Sequence, residues 1–254
     1  MKTRLDKLVT ERGLAASRER AQALILAGRV LVNEQKVSKP GQSVDDTAEL
    51  RLLGKDLRYV SRGGLKLEGA LRHWKIDMTG RFCLDIGTST GGFTDCMLQH
   101  GAARVLAVDT GYGQIAESLR RDERVQLMER TNARHLQPGD LPAAIEFFAM
   151  DVSFISATLV LPAVVAAARH LPPQPLEGVI LVKPQFEVGR TQVGKGGIVR
   201  DPAAHAFALE RVREGVQALN GSEIETIDSP ITGAEGNREF LLHARWNAAV
   251  LAAK

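Results

Sequence analysis

Cysteine is almost missing from this chain: 254 residues contain two, Cys83 and Cys96. Neither lies in a C-x-x-C pair or in a metal-ligand spacing, so a disulfide framework and a zinc module are excluded, and no metal is expected. Both read as buried thiols in a reducing compartment. Long apolar runs are also missing. A membrane helix needs roughly 18 consecutive apolar residues, and the nearest approach, Ala157 to Ala168, is too short and contains Pro162. The start, Met1-Lys2-Thr3-Arg4-Leu5-Asp6, is charged and has no apolar signal core. These absences predict a cytoplasmic protein with no membrane partner. No internal repeat or low-complexity tract appears, and Pro172-Pro173-Gln174-Pro175 reads only as an interhelical turn. Neither sign of charge dominates, because 33 basic residues face 30 acids, so the molecule is not a polycation.

What is present is ordinary for a soluble globular protein, 44% hydrophobic and 25% charged, with length for one large or two modest domains. The charge is unevenly placed. Residues 1–41 hold nine Lys/Arg and four acids. That asymmetry points to an end that touches nucleic acid, although a solvated basic face would look the same. The apolar periodicity predicts short helices over 4–12 and 18–27, with Ser17 as N-cap and Gly28 as C-terminal stop. Strands at Val30–Val32 and 48–52 and a turn at Asn33-Glu34 complete an α+β unit. Arg4, Lys7, Arg18 and Arg20 are its candidate phosphate contacts, which would position a nucleic acid without reading its sequence. The domain boundary is expected near residue 60, with residues 57–62 as the join.

Beyond a helix at 64–74, strands and helices alternate: strand 82–86, helix 92–100, strand 104–109, helix 114–121, strand 125–128, strand 145–150, helix 156–170, strand 178–183. Alternation of this kind predicts a parallel sheet covered on both faces. A helix at 202–219 precedes strands 223–228 and 238–244, whose hairpin-like connection makes the last strand antiparallel. The stretch Asp85-Ile86-Gly87-Thr88-Ser89-Thr90-Gly91-Gly92-Phe93 runs from strand through glycine turn into helix, and Asp109 closes the next strand. A glycine turn after one strand and an acid ending its neighbour is how a doubly wound sheet holds a nucleoside. The dinucleotide spacing G-x-G-x-x-G is absent. An acid before the turn suits a ligand with a cationic amino-acid end and no pyrophosphate, as in S-adenosylmethionine. A plain tight strand-to-helix turn is the alternative. Asp85, Gly87, Ser89, Gly91, Gly92, Phe93, Asp109 and Asp151 are the candidate cofactor residues.

In open sheets ligands bind beyond the carboxyl ends of the strands, so polar residues ending apolar strands are the ones to inspect. Asp151 ends Phe147-Phe148-Ala149-Met150, and Lys183 ends Val179-Ile180-Leu181-Val182. A lysine there needs a partner because burying its charge is costly. Asp151 on a neighbouring strand is the natural one, and a purely structural ion pair would look alike. Lys66, before the first strand, and Glu239, starting the last, are singly unremarkable charges. Gly194-Lys195-Gly196-Gly197 reads as a basic flap that closes over the cofactor or follows RNA through Lys195, or as a solvated loop.

Lys66 in Gly-Leu-Lys-Leu, Asp151 in Met-Asp-Val-Ser-Phe, Lys183 in Leu-Val-Lys-Pro and Glu239 in Asn-Arg-Glu-Phe resemble the tetrad of the FtsJ-type RNA 2′-O-methyltransferases. Residues 1–60, through Arg4-Leu5-Asp6, Ser17-Arg18, Ala21, Ile25, Gly28, Val30, Val32 and Asn33, resemble the RNA-binding module of a small-subunit ribosomal protein. Together with Tyr59-Val60-Ser61-Arg62-Gly63-Gly64 the chain is similar to the TlyA family, whose old name is haemolysin and whose described activity is cytidine 2′-O-methylation of ribosomal RNA. Pro184-Gln185-Phe186 after Lys183 departs from the FtsJ pattern but matches TlyA.

The resemblance implies a small α+β RNA-binding domain at 1–60 and a Rossmann-like methyltransferase domain at 61–254. It implies S-adenosylmethionine as cofactor, and ribosomal RNA or ribosomal subunits as partner. Lys66, Asp151, Lys183 and Glu239 become the expected catalytic set. Lys183 is the expected base, because burial beside a second cation favours a neutral amine. Asp151 opposes that shift and would orient Lys183 and face the cationic sulfonium, and Glu239 would fix Lys66 and the ribose. A base methyltransferase is the nearest rival, but no Asn/Asp-Pro-Pro-Tyr/Phe motif follows the fourth strand and no cysteine stands at a strand end. A non-catalytic ribosome-binding or assembly factor is a second alternative. The third is a pore-forming haemolysin, which would need a membrane-active segment. The nucleotide, the subunit and the oligomeric state are not written in the residues.

Overall fold

The computed structural model describes residues 2–15, 17–53, 58–169, 175–233 and 236–247. The chain divides into two compact units, Met1–Leu57 and Arg58–Lys254. Leu57, in the expected join, and Pro172 to Gln174, in the expected turn, lie outside the described residues.

The first unit begins with strand β1 (Lys2–Arg4), followed by helices α1 (Leu5–Glu11) and α2 (Arg18–Leu26). Strands β2 (Val30–Val32), β3 (Gln35–Lys36), β4 (Ser43–Asp45) and β5 (Leu50–Leu52) complete it. Two small antiparallel sheets result, β1-β4 and β3-β2-β5. The apolar faces of α1 (Leu5, Leu8, Val9) and α2 (Ala21, Leu24, Ile25) bury against Val30 and Val32. Ser17 Oγ accepts the Arg20 amide at 3.2 Å, and Gly28 takes φ +65°, so the expected cap and stop both form. Strands β1 and β4 were not expected: Lys-Thr-Arg has no apolar alternation, and pairing with a distant segment holds it extended.

The second unit runs α3 (Gly63–His73), β6 (Phe82–Ile86), α4 (Gly92–Gln99), β7 (Arg104–Val108), α5 (Glu117–Arg120) and β8 (Val125–Met128). It continues with β9 (Phe147–Met150), α6 (Ala157–Ala168), β10 (Leu176–Val182) and α7 (Pro184–Glu187). Helix α8 (Pro202–Ala218) and strands β11 (Ser222–Asp228) and β12 (Phe240–Trp246) close it. The seven strands lie in the order β11-β12-β10-β9-β6-β7-β8. Strands β8, β7, β6, β9 and β10 are parallel, while β12 is antiparallel to both neighbours.

Period-two alternation in buried strands builds two cores. Cys83, Phe147, Ala149, Val179 and Leu181 face the layer holding Leu67, Leu71, Phe93 and Met97 of α3 and α4. Leu84, Ile86, Phe148, Met150, Ile180 and Val182 face Val160, Leu161, Val164, Ala208 and Val212 of α6 and α8. The expected helix over 114–121 contracts to Glu117–Arg120, because Gly111 and Gly113 spend the preceding residues in turns. The segment after Lys183 opens with α7, where Pro184 at the first helical position supplies a preset φ. Strand order reverses direction of travel at β6, with β7 on one side and β9 on the other. That switch point is where an open sheet leaves a crevice beyond its carboxyl ends.

Candidate active site

The turn leaving β6 alternates left-handed residues: Gly87 at φ +84°, Ser89 at +49° and Gly91 at +94°. A Cβ on Gly87 would overlap the Asp151 carbonyl oxygen, and one on Gly92 would overlap Ser61 Oγ. The glycines therefore let three backbone segments meet. Asp109, at the end of β7, accepts the Ser89 amide at 2.7 Å through Oδ2 and the Gly111 amide at 2.6 Å through Oδ1. It ties the two loops together and still lines the crevice.

Two adjoining cavities flank this turn. One, about 690 Å³, is lined by Lys66, Gly87, Ser89, Gly92, Phe93 and Asp151 among others. The second, about 1000 Å³, is lined by Gly87, Ser89, Asp109, Gln114, Asn132 and Asp151 among others. Six of the eight candidate cofactor residues thus come together on this crevice. Gly91 stands behind it against Ile115 and Leu119. Asp85 also does not line it. The residue is fully buried, and its Oδ2 accepts the Thr94 amide at 2.9 Å and Thr94 Oγ1 at 2.5 Å. Parity explains this: Asp85 points to the α4 side of β6, where it secures the first turn of that helix. Burial pushes its carboxyl up to about 7, against the pull of Thr94, and Asp151 and Asp109 add to the rise. Its Oδ1 has no hydrogen-bond partner.

A third cavity, about 990 Å³, adjoins these through Lys66, Ser153 and Phe154, and is also lined by Lys183, Phe186, Asn237 and Glu239. Here the four expected charges form two ion pairs. Lys66 Nζ donates to Glu239 Oε2 at 2.6 Å, both side chains being almost fully buried. Lys183 Nζ lies 2.6 Å from Asp151 Oδ1 and donates to Ser153 Oγ at 2.7 Å. Lys66 reaches inward because Gly64 lies against Tyr59 and Gly69 against Pro230, so α3 packs closely on both sides of it. Glycine in a helix interior costs about 1 kcal/mol relative to alanine, and close packing is what it makes possible here. Asn237, 2% exposed, holds the loop carrying Gly196 and Gly197 over the cavity: its amide donates to the Gly197 carbonyl at 2.9 Å and accepts the Val199 amide at 3.0 Å. Lys195 is exposed on that loop and lines none of these three cavities. At the rim Phe154, at φ +65° and 93% exposed, meets the Phe186 ring with centroids 5.4 Å apart.

Ser153 and Asn237 escaped sequence reasoning, since a serine two residues past a strand-end acid and an asparagine two before a glutamate carry no signal of their own. In the first unit Arg4 and Arg18 do not stand alone. Buried Asp6 accepts from Arg4 at 2.9 Å and from Arg18 at 3.1 Å, and each arginine stays half exposed. Lys7 is exposed, 3.5 Å from Glu11, and Arg20 is partly exposed on α2. Among the described residues no helix is long and apolar enough to cross a membrane, and no group of three His, Cys, Asp or Glu is placed to hold a metal ion.

The glycine-cradled crevice at the switch point fits a nucleoside ligand, and fold and crevice together define an S-adenosylmethionine-dependent methyltransferase. Residues 59–246 match the FtsJ-like methyltransferase family and residues 3–50 the S4 domain. YqxC of Bacillus subtilis is 51% identical over 96% of this chain and 86% of its own length. The 16S/23S rRNA (cytidine-2′-O)-methyltransferase TlyA of Mycobacterium tuberculosis is 45% identical over 96% of this chain and 90% of its own. The chain belongs to the TlyA family of FtsJ-like methyltransferases with an S4 domain. A solved structure from Streptococcus thermophilus that carries the name hemolysin superposes with a TM-score of 0.73, at 44% identity, covering 97% of this chain and 89% of that one.

Proposed function

We propose that this cytoplasmic enzyme methylates the 2′-hydroxyl of a cytidine in ribosomal RNA, within a ribosomal subunit, using S-adenosylmethionine. The observation that carries the reading is the pair of ion pairs, Lys66–Glu239 and Lys183–Asp151, side by side on adjoining cavities. The M. tuberculosis relative named for cytidine 2′-O-methylation supports the chemistry. Gly87, Ser89, Gly92, Phe93 and Asp109 would hold the cofactor, and Asp151 would stand near its cationic end. When bound, S-adenosylmethionine supplies a methyl group on a sulfonium.

The protein's own work is on the hydroxyl. Lys183 takes its proton at Nζ. Asp151 Oδ1, 2.6 Å from Nζ, and Ser153 Oγ, which accepts from Nζ, hold the lysine head at the cavity. Glu239 holds Lys66 where its ammonium meets the ribose. Alignment of the hydroxyl is the main contribution. Phe154 offers a stacking face to a base splayed from its helix. Arg4, Lys7, Arg18, Arg20 and Lys195 are the proposed phosphate contacts, with Asp6 setting the first and third as a pair.

The test is transfer of labelled methyl from S-adenosylmethionine to unmodified bacterial ribosomal subunits, followed by digestion to nucleosides. Label on 2′-O-methylcytidine, reduced at least a thousandfold in Lys183→Ala, is the expected result (about 10³,). Label on a base would overturn the tetrad mechanism. Tight subunit binding without label in either protein would make the chain an assembly factor.

A further inference from the structure

Two segments carry the proposed base and its orienting groups. The first, residues 151–156, leaves β9 with Asp151 and Ser153 and ends at Ser156, which opens α6. The second, residues 183–187, leaves β10 with Lys183 and ends at Glu187, the last residue of α7. The Lys183 contacts join these segments at the cavity. A second junction lies behind them, out of solvent.

Glu187 is 2% exposed. Its Oε2 accepts from Ser156 Oγ at 2.5 Å and its Oε1 accepts the Ala157 amide at 2.7 Å. Its own carbonyl accepts from Arg211 Nη1 of α8 at 2.7 Å. Capping α6 does not by itself require this glutamate, because Ser156 Oγ already accepts the Thr158 amide at 3.2 Å. What Glu187 adds is a link between segments. Burial raises its carboxyl above the usual carboxylate range, and the Ser156 hydroxyl and the Ala157 amide at the start of the twelve-residue helix oppose that rise. The α7 turn between Lys183 and Glu187 is short and stiff: Pro184 fixes its start, the Phe186 amide donates to the Lys183 carbonyl at 2.9 Å, and the Val188 amide to the Pro184 carbonyl at 3.0 Å. Position at one end is therefore transmitted to the other.

We infer that Glu187 is a positioning residue for methyl transfer: by tying the end of α7 to the start of α6, it sets the separation of Lys183 from Asp151 and Ser153. The inference rests on the reading of Lys183 as the base. A displacement of about 1 Å at the reacting groups is enough to slow a reaction about a hundredfold.

The experiment uses the full chain, unmodified ribosomal subunits and labelled S-adenosylmethionine in single-turnover mode, with calorimetric cofactor affinity measured in parallel. Glu187→Ala lowers the single-turnover rate about 30- to 100-fold, with cofactor Kd and subunit KM within about threefold of wild type. Glu187→Gln stays within about threefold in rate, because an amide oxygen still accepts from Ala157 and the amide nitrogen donates to Ser156 Oγ. Glu187→Asp, one methylene short of both partners, keeps the charge and falls toward the alanine rate; it carries the test if Glu187→Ala does not fold. A wild-type rate in Glu187→Ala or Glu187→Asp, whatever the melting temperature, overturns the inference. So does a cofactor Kd that rises in step with the lost rate, which marks a general structural strut. Absence of 2′-O label with the wild-type protein overturns the methylation reading itself, and the inference falls with it.

Discussion

At the scale of single residues, Phe154 departs from ordinary preference. A bulky aromatic in the left-handed region, almost wholly exposed, has neither backbone comfort nor burial to recommend it. Phe154→Ala is expected to raise the KM for ribosomal subunits about tenfold, a base stack being worth about 1–3 kcal/mol, and to leave cofactor affinity unchanged; steady-state kinetics at varied subunit concentration measures it. Asp85 yields a pH prediction. Its carboxyl, raised from 3.8 to about 7 by burial, keeps its proton in the folded protein at pH values where the unfolded chain has lost it. Folding then binds a proton, so this group's contribution to stability diminishes as pH rises from about 4 to about 7. Asp85→Asn removes that slope and melts higher than wild type at pH 8, as thermal denaturation across the range would show. The sequence disclosed Asp151 and Lys183 because burying a charge at the end of an apolar strand demands a reason, whereas Lys66, on a helix, and Glu239, before a strand, became legible only through the family resemblance. It misdirected the reading of Asp85, since the same strand-end position can face the ligand or the helix behind it, and only the pleat decides which. Ser153 was invisible for a different reason: its importance lies in a contact thirty positions away.

Among elements, the long apolar strands and the glycine turn were legible, as period and length leave few alternatives for Phe82–Ile86 or Leu176–Val182. The short pieces were not. Strand β1 is held by its partner and not by its own residues, α5 is cut to one turn by the glycines before it, and α7 depends on a proline whose usual meaning is a break. The turn after β6 supplies the prediction at this scale. Gly87→Ala forces a side chain into a left-handed position and onto the Asp151 carbonyl. A loss of at least about 1–3 kcal/mol is expected, seen as a lower urea midpoint together with weaker cofactor binding. Gly80→Ala, also at positive φ but with nothing near its added carbon, bears only the backbone part of that loss.

For the whole molecule, charge asymmetry belongs to the S4 unit. If Lys7 and Arg20 contact phosphates, replacing both by alanine lowers the slope of log affinity against log salt by roughly 0.7–0.9 per lost contact, with no change in which nucleoside carries label. Filter binding across a salt series reads this directly, and an unchanged slope would remove both residues from the interface. The order of the large sheet has a temporal meaning as well. Residues 240–246 lie between β10 and β11, both of which precede them in the chain. Glu239 meets Lys66 across 173 positions of sequence. As the polypeptide emerges during translation, strands β6 to β10 exist before the segment that must wedge beside β10, so the interior charge constellation is assembled last. A chain that ends at residue 230 holds the strands from β6 to β11 and lacks Glu239, so the Lys66 charge gains its carboxylate partner only with the last strand.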